Sequence, residues 1–240
     1  MEELTRTCVL TGASGALGTA FIRRHAGDYR ILAVHHRSAI DGATQDQSYV
    51  DPLDPIRHLP ENERPVRAFR ADLGDPRDID RLVGDLAAHT DGVDLVVHAA
   101  AVRGWTSLLA EGVTELARAV YQINVLAPLQ LTCALAGRFW RADPDANALA
   151  GRNVVTVSST AGLYLYPDLG QGLYGSSKAA LNHLTYHLAS ELWDIGIRVN
   201  AVAPDTFPGR VATEDVLEAI TGFDRSDQTG VVRTLDRRPA

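Results

Sequence analysis

The chain has 240 residues, 45% of them hydrophobic, enough to bury a core in one large unit or two small ones. Its formal net charge of −7 argues against nucleic acid or an anionic membrane surface as the main partner, while leaving room for a local basic phosphate site. Cys8 and Cys133 are too few for a disulfide framework, and both lie in apolar stretches, so two buried reduced thiols are expected. The acidic start, with no basic leader and no long apolar run, points to a cytoplasmic location without a secretion signal or membrane span.

Residues 6–11 read as a short buried strand, residues 12–18 as a glycine-rich turn, and residues 16–25 as a helix. Strands follow at 30–35 and 66–70. Residues 76–88 form a helix with Ile79, Leu82, Val83 and Leu86 on one side, Asp75 as its cap and Pro76 in its first turn. A fourth strand spans 94–98. Residues 114–141 read as one long helix in which Pro128 predicts a kink or local unwinding. A fifth strand (153–158) precedes a helix over 174–193, striped by Leu181, Leu184, Leu188 and Leu192. A sixth strand (197–202), a short helix (211–220) and a last strand (230–235) complete the chain. Strands apolar on both faces and alternating with helices predict an α/β fold, a doubly wound parallel sheet covered on both sides, in one domain over 1–240. Residues 39–65, with Pro52, Pro55, Pro60 and Pro65, stand where a helix would be expected and read as a loop insertion.

Gly12, Gly15 and Gly18 sit at the first strand–helix junction, the context a dinucleotide-binding turn requires. Gly12 permits the tight turn, Gly15 lets the backbone approach a pyrophosphate, and Gly18 lets the helix pack on the strand. The free N–H groups and partial positive charge of the helix start favour phosphate. An NAD site would place a carboxylate after the second strand; here stand His36, Arg37 and Ser38, which suit the 2′-phosphate of NADPH, with NAD as the lesser alternative.

Of the 23 basic residues only Lys178 is a lysine, and it lies four residues after Tyr174 on one helix face. A nearby ammonium favours the phenolate and brings the phenol toward the range useful for proton transfer. His183 and His187 share that helix with the same spacing, but no third ligand accompanies them, so no metal site is expected.

Taken in order, Gly12-x-x-Gly15-x-x-Gly18, Ala71-Asp72-Leu73, Ile123-Asn124-Val125, Val157-Ser158-Ser159, Tyr174-x-x-x-Lys178 and Arg198 through Pro204 resemble the short-chain dehydrogenases/reductases over nearly the whole chain. The resemblance implies a seven-stranded Rossmann fold. It implies Tyr174 as proton donor and Lys178 on the nicotinamide ribose. Ser159, rather than Ser158, would bond the substrate oxygen, and Asn124 would hold a water that relays protons to Lys178. Asp72 and Leu73 would contact adenine. Ser14, Ala16 and Leu17 in the turn, Ala99 and Ala100 after the fourth strand, and Pro204 after the sixth would line the cofactor. A homodimer or tetramer through the helices bearing Asn124 and Tyr174 is implied as well.

The sequence departs from the family in places. Gly15 stands one place earlier than in the commonest single-domain members, as in the extended branch. His98 replaces the family asparagine and reads as a buried strand-end residue. Asp205 follows Pro204 where a glycine is usual. The helical lid after the sixth strand is cut to residues 205–212, which predicts an open mouth. The expected activity is NADPH-dependent reduction of a carbonyl on a bulky small molecule in a biosynthetic role. An epimerase or dehydratase, or a nucleotide-binding sensor, are the alternatives.

Overall fold

The computed structural model describes residues 6–40 and 66–236. The predicted insertion therefore lies, apart from Ala39 and Ile40, outside the described residues. Seven strands form one parallel sheet in the order β3-β2-β1-β4-β5-β6-β7. They are β1 (Arg6–Thr11), β2 (Tyr29–His35), β3 (Val66–Arg70), β4 (Leu95–His98), β5 (Asn153–Val157), β6 (Arg198–Pro204) and β7 (Val232–Leu235). β4, β5 and β6 are buried along their whole length, as expected of strands covered on both faces.

The alternation of side chains along each strand builds two cores. On one face Val9, Leu32, Val96 and Val199 meet α2 (Pro76–Ala87), α4 (Ala127–Leu135) and α6 (Gly172–Trp193), through Leu82, Leu131 and Leu188. On the other, Leu10, Ile31, Val97 and Val202 meet α1 (Ala16–His25) and α7 (Thr213–Asp224), through Phe21, Ile22 and Ile220. Each such side chain, removed from water, contributes roughly 1.5–3 kcal/mol. Asp75 caps α2 as expected, its side chain accepting from Arg77 N, with Pro76 in the first turn. Both cysteines were expected to be buried. Cys8 is; Cys133 is exposed, because on α4 it points away from the buried Leu131–Leu135 side.

The predicted long helix runs through α3 (Val113–Tyr121), a π-turn (Gln122–Leu126), α4 and a second π-turn (Ala136–Trp140). Pro128 cannot donate to the carbonyl of Asn124, four residues back, and the first widening lies in that turn, with Ala127 N donating to Gln122 O. By length and composition this helix could cross a bilayer. Here it is a core helix: Leu131, Leu135 and Trp140 are fully buried, and Trp140 Nε1 donates to Val93 O at 2.9 Å. A short helix α5 (Pro144–Leu149), capped by Asp143, was not anticipated, although Asp143-Pro144 is a helix-start signal.

Strand order reverses between β1 and β4. Ligands of open parallel sheets bind at such a switch point, beyond the carboxyl ends of the strands.

Candidate active site

The turn after β1 is fixed by contacts only glycine allows. Gly12 has φ +68°, and a Cβ there would lie 2.7 Å from Ala100 N. A Cβ on Gly18 would lie 2.4 Å from Gly12 O, so α1 can close onto the turn only without one. Gly15 is exposed, a Cβ on it would lie 3.2 Å from Gly12 O, and the N-terminus of α1 has no side-chain cap. Its first N–H groups therefore face the cleft unpaired by the helix, a cradle that fits a pyrophosphate. Thr11 Oγ1 accepts from Ala99 N and Ala100 N at 3.1 and 3.3 Å, which ties the exit of β4 to this turn.

A cavity of about 370 Å³ opens from the turn along the ends of β4, β5 and β6. That is within the usual range for a small-molecule site. Among the sequence-predicted residues, Gly12, Gly15, Ala16, Leu17 and Gly18 line one end, with Ala99 beside them. Ser159, Tyr174, Lys178 and Pro204 line the other. Gly162 and Gly175 let α6 lie close against the end of β5: a Cβ on either would come within 2.7 Å of backbone across that contact. Ser159 hydrogen-bonds the Tyr174 side chain and also accepts from Ala161 N at 3.2 Å. Ser158 serves the scaffold instead, donating to Lys178 O at 3.3 Å.

Lys178 is buried, its Nζ donating to Val157 O at 2.7 Å and standing 5.7 Å from the centre of the Tyr174 ring. Burial, without a partner carboxylate, pushes its ammonium down to about 8. The expected lowering of the Tyr174 phenol by this ammonium is not found. Burial raises the phenol above its ordinary value, while the Ser159 hydrogen bond and the Arg103 charge pull against that rise. The cause is location: the same apolar surroundings penalise the charged form of both groups.

Several predicted residues stand outside the cavity wall. Asn124 lies in the π-turn with its side chain fully engaged. Its Oδ1 accepts from Val102 N, and its Nδ2 donates to Val102 O and to Ser177 Oγ, all within 2.9 Å. It thereby clamps the segment after β4 to α6. Ala100 backs Gly12, and Ser14 is half-buried in the turn. His36, Arg37, Ser38, Asp72 and Leu73 gather beyond the ends of β2 and β3. Arg37 and Ser38 are exposed, His36 Nε2 lies 3.5 Å from Asp72 Oδ2, and Leu73 packs into the core. His98 is buried on Thr132 Oγ1 at 2.9 Å, and burial drives it down to about 3, so it is neutral. His183 and His187 touch each other at 3.2 Å, and no group of three metal-ligating side chains occurs among the described residues.

The substrate side of the cavity was not visible in the sequence. Its walls are Arg103 and Trp105 after β4, Tyr166, Leu169 and Gln171 before α6, and Thr206, Phe207 and Arg210 after β6. The connection after β6 folds back on itself, Arg210 N and Val211 N both donating to Thr206 O. The loops after β4 and before α6 join through Thr106 N donating to Gly170 O at 2.9 Å and raise a wall beside it. These loops lack periodicity, so only tertiary contacts reveal them.

Residues 6–216 match the family described as short chain dehydrogenase. The chain belongs to the short-chain dehydrogenase family. An uncharacterized NAD-dependent oxidoreductase of Mycobacterium tuberculosis is 33% identical over 83% of this chain and 70% of its own length. Dehydrogenase/reductase SDR family member 4 of Rattus norvegicus is 30% identical over 83% of this chain, which spans 64% of that relative. A Brucella ovis oxidoreductase of the short-chain dehydrogenase/reductase family, crystallised with a partially ordered NAD, superposes with a TM-score of 0.69 at 28% identity, covering 96% of this chain and 99% of its own. As a short-chain dehydrogenase the chain is an oxidoreductase for which a nicotinamide dinucleotide is expected.

Proposed function

We propose that this short-chain dehydrogenase is an NADPH-dependent ketoreductase that reduces a carbonyl on a bulky small molecule. The observation that carries the reading is a single cavity lined by the glycine turn at one end and by Ser159, Tyr174 and Lys178 at the other. When bound against the turn, NADPH supplies the hydride. The Tyr174 hydroxyl, kept protonated by burial, gives its proton to the oxygen of the carbonyl as charge develops there. The Ser159 hydroxyl bonds the same oxygen and holds it opposite the phenol. The Lys178 ammonium, charged below about 8, would donate to the ribose hydroxyls of the bound cofactor. Asn124 acts by holding the β4 exit against α6. The exposed Tyr186 and Trp193 on α6 suit an assembly of copies through that helix.

The preference for NADPH rests on Arg37, exposed after β2 where residues 35–38 offer no carboxylate, and on Asp72 being taken by His36. The Mycobacterium tuberculosis relative is named NAD-dependent, so the two cofactors must be compared directly. Steady-state rates with NADPH and NADH over a ketone panel are expected to favour NADPH. Arg37→Ala should lower kcat/KM for NADPH by about 10–100-fold and leave NADH nearly unaffected, since a charge-assisted hydrogen bond contributes roughly 1.5–3 kcal/mol. Equal losses with both cofactors would remove the NADPH assignment. Epimerisation or dehydration without net NADPH consumption would remove the ketoreductase.

A further inference from the structure

We infer that Arg103 is a specificity-determining residue that takes an anionic group of the substrate, so that the ketone reduced is a keto acid with an apolar body. The inference deepens the proposed reductase and rests on it. Arg103 lines the same cavity as Ser159, Tyr174 and Lys178. Its guanidinium stacks over the Trp105 ring, 5.3 Å from the centroid. It has no ion-pair partner among the described residues. The other cavity arginine differs: Arg210 is matched by Asp205 at 3.5 Å. A cationic side chain left unmatched beside the reacting groups, in a chain of net charge −7, is placed for a negative ligand.

The loop is built to hold it there. Gly104, the next residue, has φ +56°, and a Cβ on it would lie 2.4 Å from a Val120 methyl, so the turn is fixed against α3. Two residues on, the Thr106–Gly170 hydrogen bond joins this loop to the one before α6. Apolar surface accompanies the guanidinium: Trp105 lies under it and Leu169 lines the same cavity, both more than half exposed. A planar fork with apolar flanks recognises a carboxylate borne on a hydrocarbon or aryl body. Arg103 also acts on the phenol, its charge being one of the two influences that draw Tyr174 down. An anion seated on the guanidinium would therefore be held close to the acid–base pair.

The test uses 3-benzoylpropionate and its methyl ester, one aryl ketone with and without the charge. With the parent protein and NADPH, kcat/KM should favour the acid. In Arg103→Gln the ratio of acid to ester kcat/KM should fall by about 10–100-fold, mainly through KM, the range for a hydrogen bond to a charged group. Arg103→Lys should restore part of it. Added salt should shrink the parent's preference, since the group is exposed. Equal losses for acid and ester, or a parent that favours the ester, overturn the inference. So does a loss of NADPH affinity with an unchanged ratio, which would assign the guanidinium to the cofactor. Calorimetric titration of the NADP-loaded protein with 3-benzoylpropionate separates the two readings. Binding of the acid but not the ester, abolished in Arg103→Gln, upholds the anion site even if no ketone is turned over. Turnover without acid-selective binding overturns the site and leaves the reductase standing.

Discussion

Tyr174→Phe is expected to lower kcat for ketone reduction by about 10²–10⁴-fold while the affinity for NADPH stays near that of the parent, because positioned general acids contribute rate factors of that order. The substitution removes one oxygen from a ring held at the end of the cavity, and the ring's packing survives. The Ser159 side chain then loses its hydrogen bond to the phenol. NADPH binding, followed by quenching of protein fluorescence, tests the glycine turn separately, since that turn is built from Gly12, Gly15 and Gly18 and does not need the phenol. A Tyr174→Phe protein that keeps more than about a tenth of the parent turnover would end the acid assignment. A joint loss of binding and turnover would point to a structural role for the hydroxyl.

The second large effect joins stability to turnover. Lys178 is 2% exposed, and its ammonium is pushed down from 10.5 to about 8. In the unfolded chain the same group titrates near its ordinary value. Below pH about 8 both states are protonated, and the folded state bears the full cost of a buried charge, on the order of 3 kcal/mol for this difference. Between about 8 and 10.5 the unfolded chain binds the extra proton, so the cost is relieved as pH rises. Lys178→Met removes the charge but leaves Val157 O without its donor, a penalty of roughly 1–3 kcal/mol. The variant is therefore expected to be inactive yet more stable than the parent at pH 6.5 by roughly 1 kcal/mol, an advantage that vanishes near pH 10. Urea unfolding of both proteins at the two pH values measures it, and a variant less stable than the parent at pH 6.5 contradicts it. In the parent, the rate of reduction should also decline as pH passes about 8 and the ammonium is lost.

The parts of this molecule legible in its sequence are those where backbone geometry dictates residue type. Gly12 and Gly18 are contacts that exclude a Cβ, and they stand out by their identity. The sheet follows from apolar runs such as Val154–Val157, which must be covered on both faces. Pro128 announces the first π-turn because it removes one N–H; nothing comparable marks the second, at Ala136–Trp140. The proposed acid–base pair was legible as spacing, but its electrostatics were not. Helical proximity suggested attraction between ammonium and phenol, whereas burial, a property of the folded whole, governs both. Asn124 shows the same limit: its position in the helix was clear, yet its side chain proves to be a clamp on Val102 and Ser177. Arg103 and Trp105 were unreadable because a loop residue acquires its meaning from what folds opposite it.

The burial of Lys178 has a practical corollary. Every other member of the lysine and arginine set is a guanidinium, so a reagent that acylates lysine amines meets none on the folded surface. Labelling of that one residue, read by mass spectrometry, would count excursions in which the cleft floor opens to solvent.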